Sequence, residues 1–130
     1  MTASDSESTA DRFGLSGAVI ERTAGKAEMD PEELLGTLEI IHAELIGRHS
    51  NLEREREYVT VDGVRAYRVD EAVWDEFLGE FDFEGPAESA TRYAHTEQAK
   101  LMFAASVEGD DNFDSDEEGV VIGIDTAEQF

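Results

Sequence analysis

The chain is 130 residues long and sets 32 acidic side chains against 10 basic ones, a formal charge of -22 at pH 7, with 40% hydrophobic residues and no cysteine. That length holds one domain with a core of its own, and seven Phe, three Tyr and one Trp separate it from acidic disordered chains. Disulfides, thiolate metal sites and a Cys nucleophile are excluded, and no apolar run approaches the roughly 18 residues that span a bilayer.

Residues 1–12 are Ser, Thr, Asp and Glu with no apolar anchor, which reads as a disordered acidic tail. MTASDSESTADR lacks the positive and apolar regions of a signal peptide, so a cytoplasmic protein is expected. A domain over residues 13–108 follows. Phe13, Leu15, Val19 and Ile20 predict a short helix through about Ala24, weakened by Gly14 and Gly17. The next helix is better signed. Asp30 is its N-cap, Pro31 fills the first helical position, and Glu32 and Glu33 sit at the positive end of the dipole. Leu34, Leu35, Leu38, Ile41, Leu45, Ile46 and Leu52 recur at helical spacing and predict an apolar face through about residue 48, with Gly47 a weak point.

YVTV and VRAYRV, two alternating runs across Asp62-Gly63, predict a β-hairpin over Tyr58 to Val69. Asp70 then caps a helix carrying Val73, Trp74, Phe77, Leu78 and Phe81 on one face. A third long helix, rich in alanine, is expected from about Pro86 to Val107. Residues 109–119 read as an acidic linker, and 120–130 as a strand-like segment that must dock either on the hairpin of its own chain or on a partner. The expected fold is a small α+β domain, mainly helical, with one hairpin.

Five of the eight arginines, Arg48, Arg54, Arg56, Arg65 and Arg68, fall within residues 48–68, opposed there by Glu53, Glu55, Glu57 and Asp62. The stretch is an island of about +1 in a strongly acidic chain. A short helix, a turn, the DPEE-opened helix and a two-stranded wing resemble, over residues 13–69, the order of elements in winged-helix DNA-binding domains. That resemblance implies that the five arginines meet phosphates. The alternative is that they pair with the neighbouring glutamates. Clustering on one exposed face favours the first reading, and pairing favours the second.

Glu39 and His42 have the Glu-x-x-His spacing of di-iron bundles, yet no second such motif accompanies them: His95 has Arg92 three residues before it. His42 and His49, seven apart, read as helix-edge or interface residues. Asp110 to Glu118 alternates acids like a calcium loop but has Ser115 where glycine is needed and Val121 where the bidentate glutamate belongs. No metal or cofactor is therefore expected. Phosphate-loop, dinucleotide and hydrolase-elbow patterns are absent from the sequence, so no enzymatic activity is expected.

The acid excess with only two lysines, Lys26 and Lys100, resembles the composition of cytosolic proteins of salt-in halophilic archaea. The expectation is a non-enzymatic regulatory or interaction protein. Its helices bear more apolar surface than one hairpin covers, which predicts a homodimer through Leu38, Ile41, His42 and Leu45. Val120, Val121, Ile122, Ile124 and Phe130 are the candidate partner-docking residues. Membrane binding is not expected, because anionic headgroups repel such a chain.

Overall fold

Three of the helices begin where a short polar side chain, Ser16, Asp30 or Asp70, takes a free amide. A computed structural model describes residues 14–61, 63–81, 83, 85–105, 113 and 117–123. Ser16 caps helix α1, Gly17–Ala27, its hydroxyl accepting from the Val19 amide at 3.2 Å. The helix stops at Glu28, which takes the left-handed conformation at φ 57°, while the Met29 amide donates back to the Ala24 carbonyl. Helix α2, Pro31–Ile46, starts at Asp30, whose carboxylate accepts from the Glu32 amide at 2.9 Å. The expected weak point at Gly47 is a break: the chain turns there and resumes as α3, His49–Glu55, so Leu52 belongs to a separate short helix.

Strands β1, Tyr58–Val61, and β2, Val64–Asp70, form the expected hairpin, with Val61 opposite Val64 and Tyr58 opposite Tyr67. Gly63 sits at φ 77°, a conformation the two-residue turn requires and a side chain resists. Asp70 ends β2 and caps α4, Glu71–Leu78, by accepting from the Val73 amide. Helix α5 covers Gly85–Ala105. Then comes β3, Glu117–Gly123, which lies antiparallel on β2 and gives the sheet order β1-β2-β3.

Helices cover both faces of this sheet, a mainly helical α+β domain. One face, through Val59, Ala66 and Val121, packs on α1, α5 and the first half of α2, with Leu34, Leu38, Ala94 and Phe103. The other, through Tyr67, Val69, Val120 and Ile122, packs on α4 and the second half of α2, with Ile41, Leu45, Trp74 and Phe77. Helix α2 thus passes from one layer to the other beside β3. Helix α5 crosses β3 so closely that a Cβ on Gly119 would collide with that of Ala99 and come within 3.2 Å of the His95 carbonyl.

Three expectations are corrected here. Leu38, Ile41, His42 and Leu45 do not offer a dimer face. All four are buried inside their own domain, because β3 and the flanking helices supply the apolar cover that one hairpin alone lacks. Val120, Val121 and Ile122 likewise offer no partner-docking face: of the two dockings expected, the segment takes the one on the hairpin of its own chain, as the third strand of the sheet. Strand β3 also begins at Glu117, inside the stretch expected to be a linker, so the domain takes in residues beyond 108. Ile124 and Phe130, like the tail over 1–12, lie outside the described residues.

Candidate interaction site

The sequence of β3 puts alternate amides to opposite sides, and β2 uses only one set. The amides of Gly119, Val121 and Gly123 point away from β2. Each is met by a helix side chain. Thr96 Oγ1 accepts from Gly119 at 3.1 Å, His95 Nδ1 from Val121 at 2.9 Å, and His42 Nε2 from Gly123 at 3.1 Å. Trp74 Nε1 completes the row by donating to the Gly119 carbonyl at 3.0 Å, with its ring edge-on to His95. What would be an open sheet edge is sealed by side chains from three helices.

Both histidines act as acceptors, so both are neutral and each carries its proton on the other ring nitrogen. Burial lowers the pKa of His42, and burial together with the neighbouring His42 lowers that of His95 to about 3. Glu39, by contrast, is exposed, so the Glu-x-x-His pair does not converge on one site. Among the described residues no group of three His, Asp or Glu is placed to hold a metal ion. The stretch 110–121 that resembles a calcium loop falls largely outside the described residues. His49 belongs to α3.

The arginines do not form one basic surface. Arg65 and Arg68, three apart on β2, leave opposite faces of the sheet. Arg65 donates to Glu53 at 3.0 Å and to Thr60, with its guanidinium 4.4 Å from the centre of the Tyr58 ring. Arg68 lies between Glu57, Glu117 and the rings of Phe103 and Phe113. Arg48 meets both carboxylate oxygens of Glu80, at 2.8 and 2.9 Å, and Arg56 pairs with Asp70 at 3.5 Å. Arg54 donates to Asn51. Four of the five are paired with acids, the arrangement expected of structural ion pairs, and β2 is a central strand rather than a projecting wing.

Two of these arginines flank the opening of a cavity of about 200 Å³ between α3 and α4. Its walls are Leu45, Leu52, Val73, Trp74, Phe77 and Val120; Arg48, Arg56, Asn51, Glu55 and Glu76 surround its mouth. Arg48 lies over the Phe77 ring at 4.9 Å. The Nε of Arg56 is buried and has no hydrogen-bond partner among the described residues. Sequence periodicity supplied the apolar walls, but it assigned them to two separate helix faces, and only the turn at Gly47 and Arg48 brings Leu52 across from Phe77.

The sequence reading also passed over Arg92. Its guanidinium grips Glu118 with two bonds, at 2.9 and 2.8 Å, and Asp75 with a third at 2.7 Å, joining α5, β3 and α4. Those bonds to Glu118, ahead of the one to Asp75, raise its pKa. One signal could have found it: a lone arginine in a helix otherwise rich in alanine, facing a strand that begins Glu-Glu.

Comparison with known proteins adds a family but no activity. No curated protein and no solved structure matches the chain. One family model does, described as "Domain of unknown function (DUF8048)", and it covers residues 13–124, from the start of the first apolar segment to the end of the third strand. The chain belongs to that family.

Proposed function

We propose that this chain is a non-enzymatic interaction protein of a salt-filled cytoplasm, and that the cavity between α3 and α4 receives one large apolar side chain of an acidic partner protein. The observation that carries the reading is the size and chemistry of that cavity. At about 200 Å³ it is smaller than the roughly 300–1,000 Å³ of small-molecule and cofactor sites. It suits a single Phe or Leu side chain, the kind of anchor that dominates the energy of protein interfaces. Its mouth also carries two partly exposed cations, Arg48 and Arg56, paired with Glu80 and Asp70. An anchor flanked by carboxylates would find there both apolar walls and the partly exposed guanidinium groups of Arg48 and Arg56.

The test uses two short peptides in molar KCl, one with a central Phe between Asp and Glu residues and one with Ala in its place. The Phe peptide is expected to shift the amide signals of Leu52, Val73, Phe77 and Val120, and the Ala peptide to leave them in place. Equal shifts from both peptides, or none from either at millimolar concentration, would refute the reading.

A further inference from the structure

The two edges of the sheet are treated differently. On β3 the outward amides of Gly119, Val121 and Gly123 are sealed by Thr96, His95 and His42. On β1 the pairing with β2 uses Val59 and Val61, and the preceding residue continues it, since the Arg68 amide donates to the Glu57 carbonyl at 2.9 Å. Alternation therefore turns the N–H and C=O groups of Tyr58 and Thr60 outward. Among the described residues nothing bonds to them, and both residues are exposed, Tyr58 at 38%. An edge strand left in this state is a template for another strand.

We propose that β1 pairs with β1 of a second copy of this chain, antiparallel about a two-fold axis at Val59, to make one continuous six-stranded sheet. The choice of a second copy rests on symmetry and on charge. Tyr58 and Thr60 flank Val59 evenly, so when the strand is laid against itself Tyr58 of each copy faces Thr60 of the other. Every outward N–H then meets an outward C=O, and the contact closes on itself as a two-fold interface must. A longer foreign strand would find no further partners on so short an edge and would leave its own groups unpaired. Charge selects the same place. Two chains of -22 repel over most of their surfaces, but β1 lies in the one stretch, residues 48–68, where five arginines nearly balance four acids. Arg65, held by Glu53 and Thr60 beside the Tyr58 ring, puts a guanidinium at the seam itself.

Light scattering of the full chain in molar KCl, from about 10 µM to about 1 mM, reads the mass, and amide exchange at the same concentrations reads the edge. The mass is expected to rise toward that of a dimer, with exchange at Tyr58 and Thr60 slowing about tenfold or more in step with it. Thr60→Pro removes one outward N–H from an edge position that tolerates proline. It is expected to hold the chain as a monomer with unchanged Trp74 emission. A monomer at every concentration overturns the proposal. So does a dimer whose Tyr58 and Thr60 amides exchange as fast as in the monomer, a result that needs no variant and would place the contact elsewhere.

Discussion

Replacing His95 by glutamine should flatten the acid side of the stability curve. In the native chain the His95 ring is fully buried and neutral, accepts from the Val121 amide, and has a pKa lowered to about 3. Unfolded, it returns to the ordinary value near 6.5. Because the folded pKa is the lower one, the unfolded chain binds the extra proton. Stability is therefore fully present above about pH 6.5 and is lost as pH falls from there toward 3. Each pH unit in that window costs about 1.4 kcal/mol, so by pH 4.5 the single ring removes about 3 kcal/mol, a large share of a domain's stability. Glutamine can still accept from Val121 but does not titrate. At pH 7.5 the variant should be less stable by about 1–2 kcal/mol, having lost the ring contact with Trp74. Urea unfolding in molar KCl, followed by the emission of Trp74, the one tryptophan, gives both curves. The difference between them cancels the titration of the many carboxylates. The wild type should lose about 3 kcal/mol more than the variant between pH 7.5 and 4.5. Parallel curves would show that His95 is not held neutral by the fold, and the sealed edge would lose its electrostatic explanation.

Three further outcomes follow from the same packing. Gly119→Ala forces a methyl group against Ala99 and the backbone of α5, and should cost about 1–3 kcal/mol in the urea midpoint while leaving mass unchanged. Glu28→Gly relieves a left-handed non-glycine residue at the end of α1, a conformation that costs about 1–2 kcal/mol, and should raise Tm by about 4 °C or more in a calorimetric scan. Raising KCl from about 0.1 M to about 1 M, where the Debye length falls from about 10 Å to about 3 Å, should raise Tm steadily; a Tm that fell over that range would overturn the reading of the acid excess.

Local signals in the sequence led directly to local structure. Asp30-Pro31, Asp70 and Asp62-Gly63 each announced an element boundary, because a cap or a two-residue turn depends on residues adjacent in the chain. The apolar stripe of α2 was equally plain, but its partner was not. Leu38, Ile41, His42 and Leu45 looked like an interface because β3 lies some 80 residues further on, behind an acidic stretch that reads as linker. The same distance hid the histidine seal, whose two acceptors come from different helices and whose donors belong to a third element. Pairing of Arg65 with Glu53 and of Arg68 with Glu57 was foreseeable from the local sequence, but Arg48 and Arg56 pair with Glu80 and Asp70 instead, and the cavity beside Arg56 required the turn at Gly47.

The basic residues clarify what the acid excess does. Arg65 and Arg68 are only 15% and 14% exposed, and Arg92 only 24%; each spans at least two elements, and Lys26 and Lys100 lie near the rings of Tyr93 and Phe113. These cations are cross-links within the fold rather than a coating that balances the surface. Salt acts unequally on the two populations. An Arg–carboxylate contact near 3 Å changes little when the Debye length shortens from about 10 Å to about 3 Å, but carboxylates one or two helical turns apart, at about 5–11 Å, lose most of their repulsion. High salt therefore removes the penalty and leaves the cross-links, so a chain can hold a large negative surface and still close a small core. Where the cations gather, between residues 48 and 68, the penalty is already small, and that is where both the cavity mouth and the open strand edge occur.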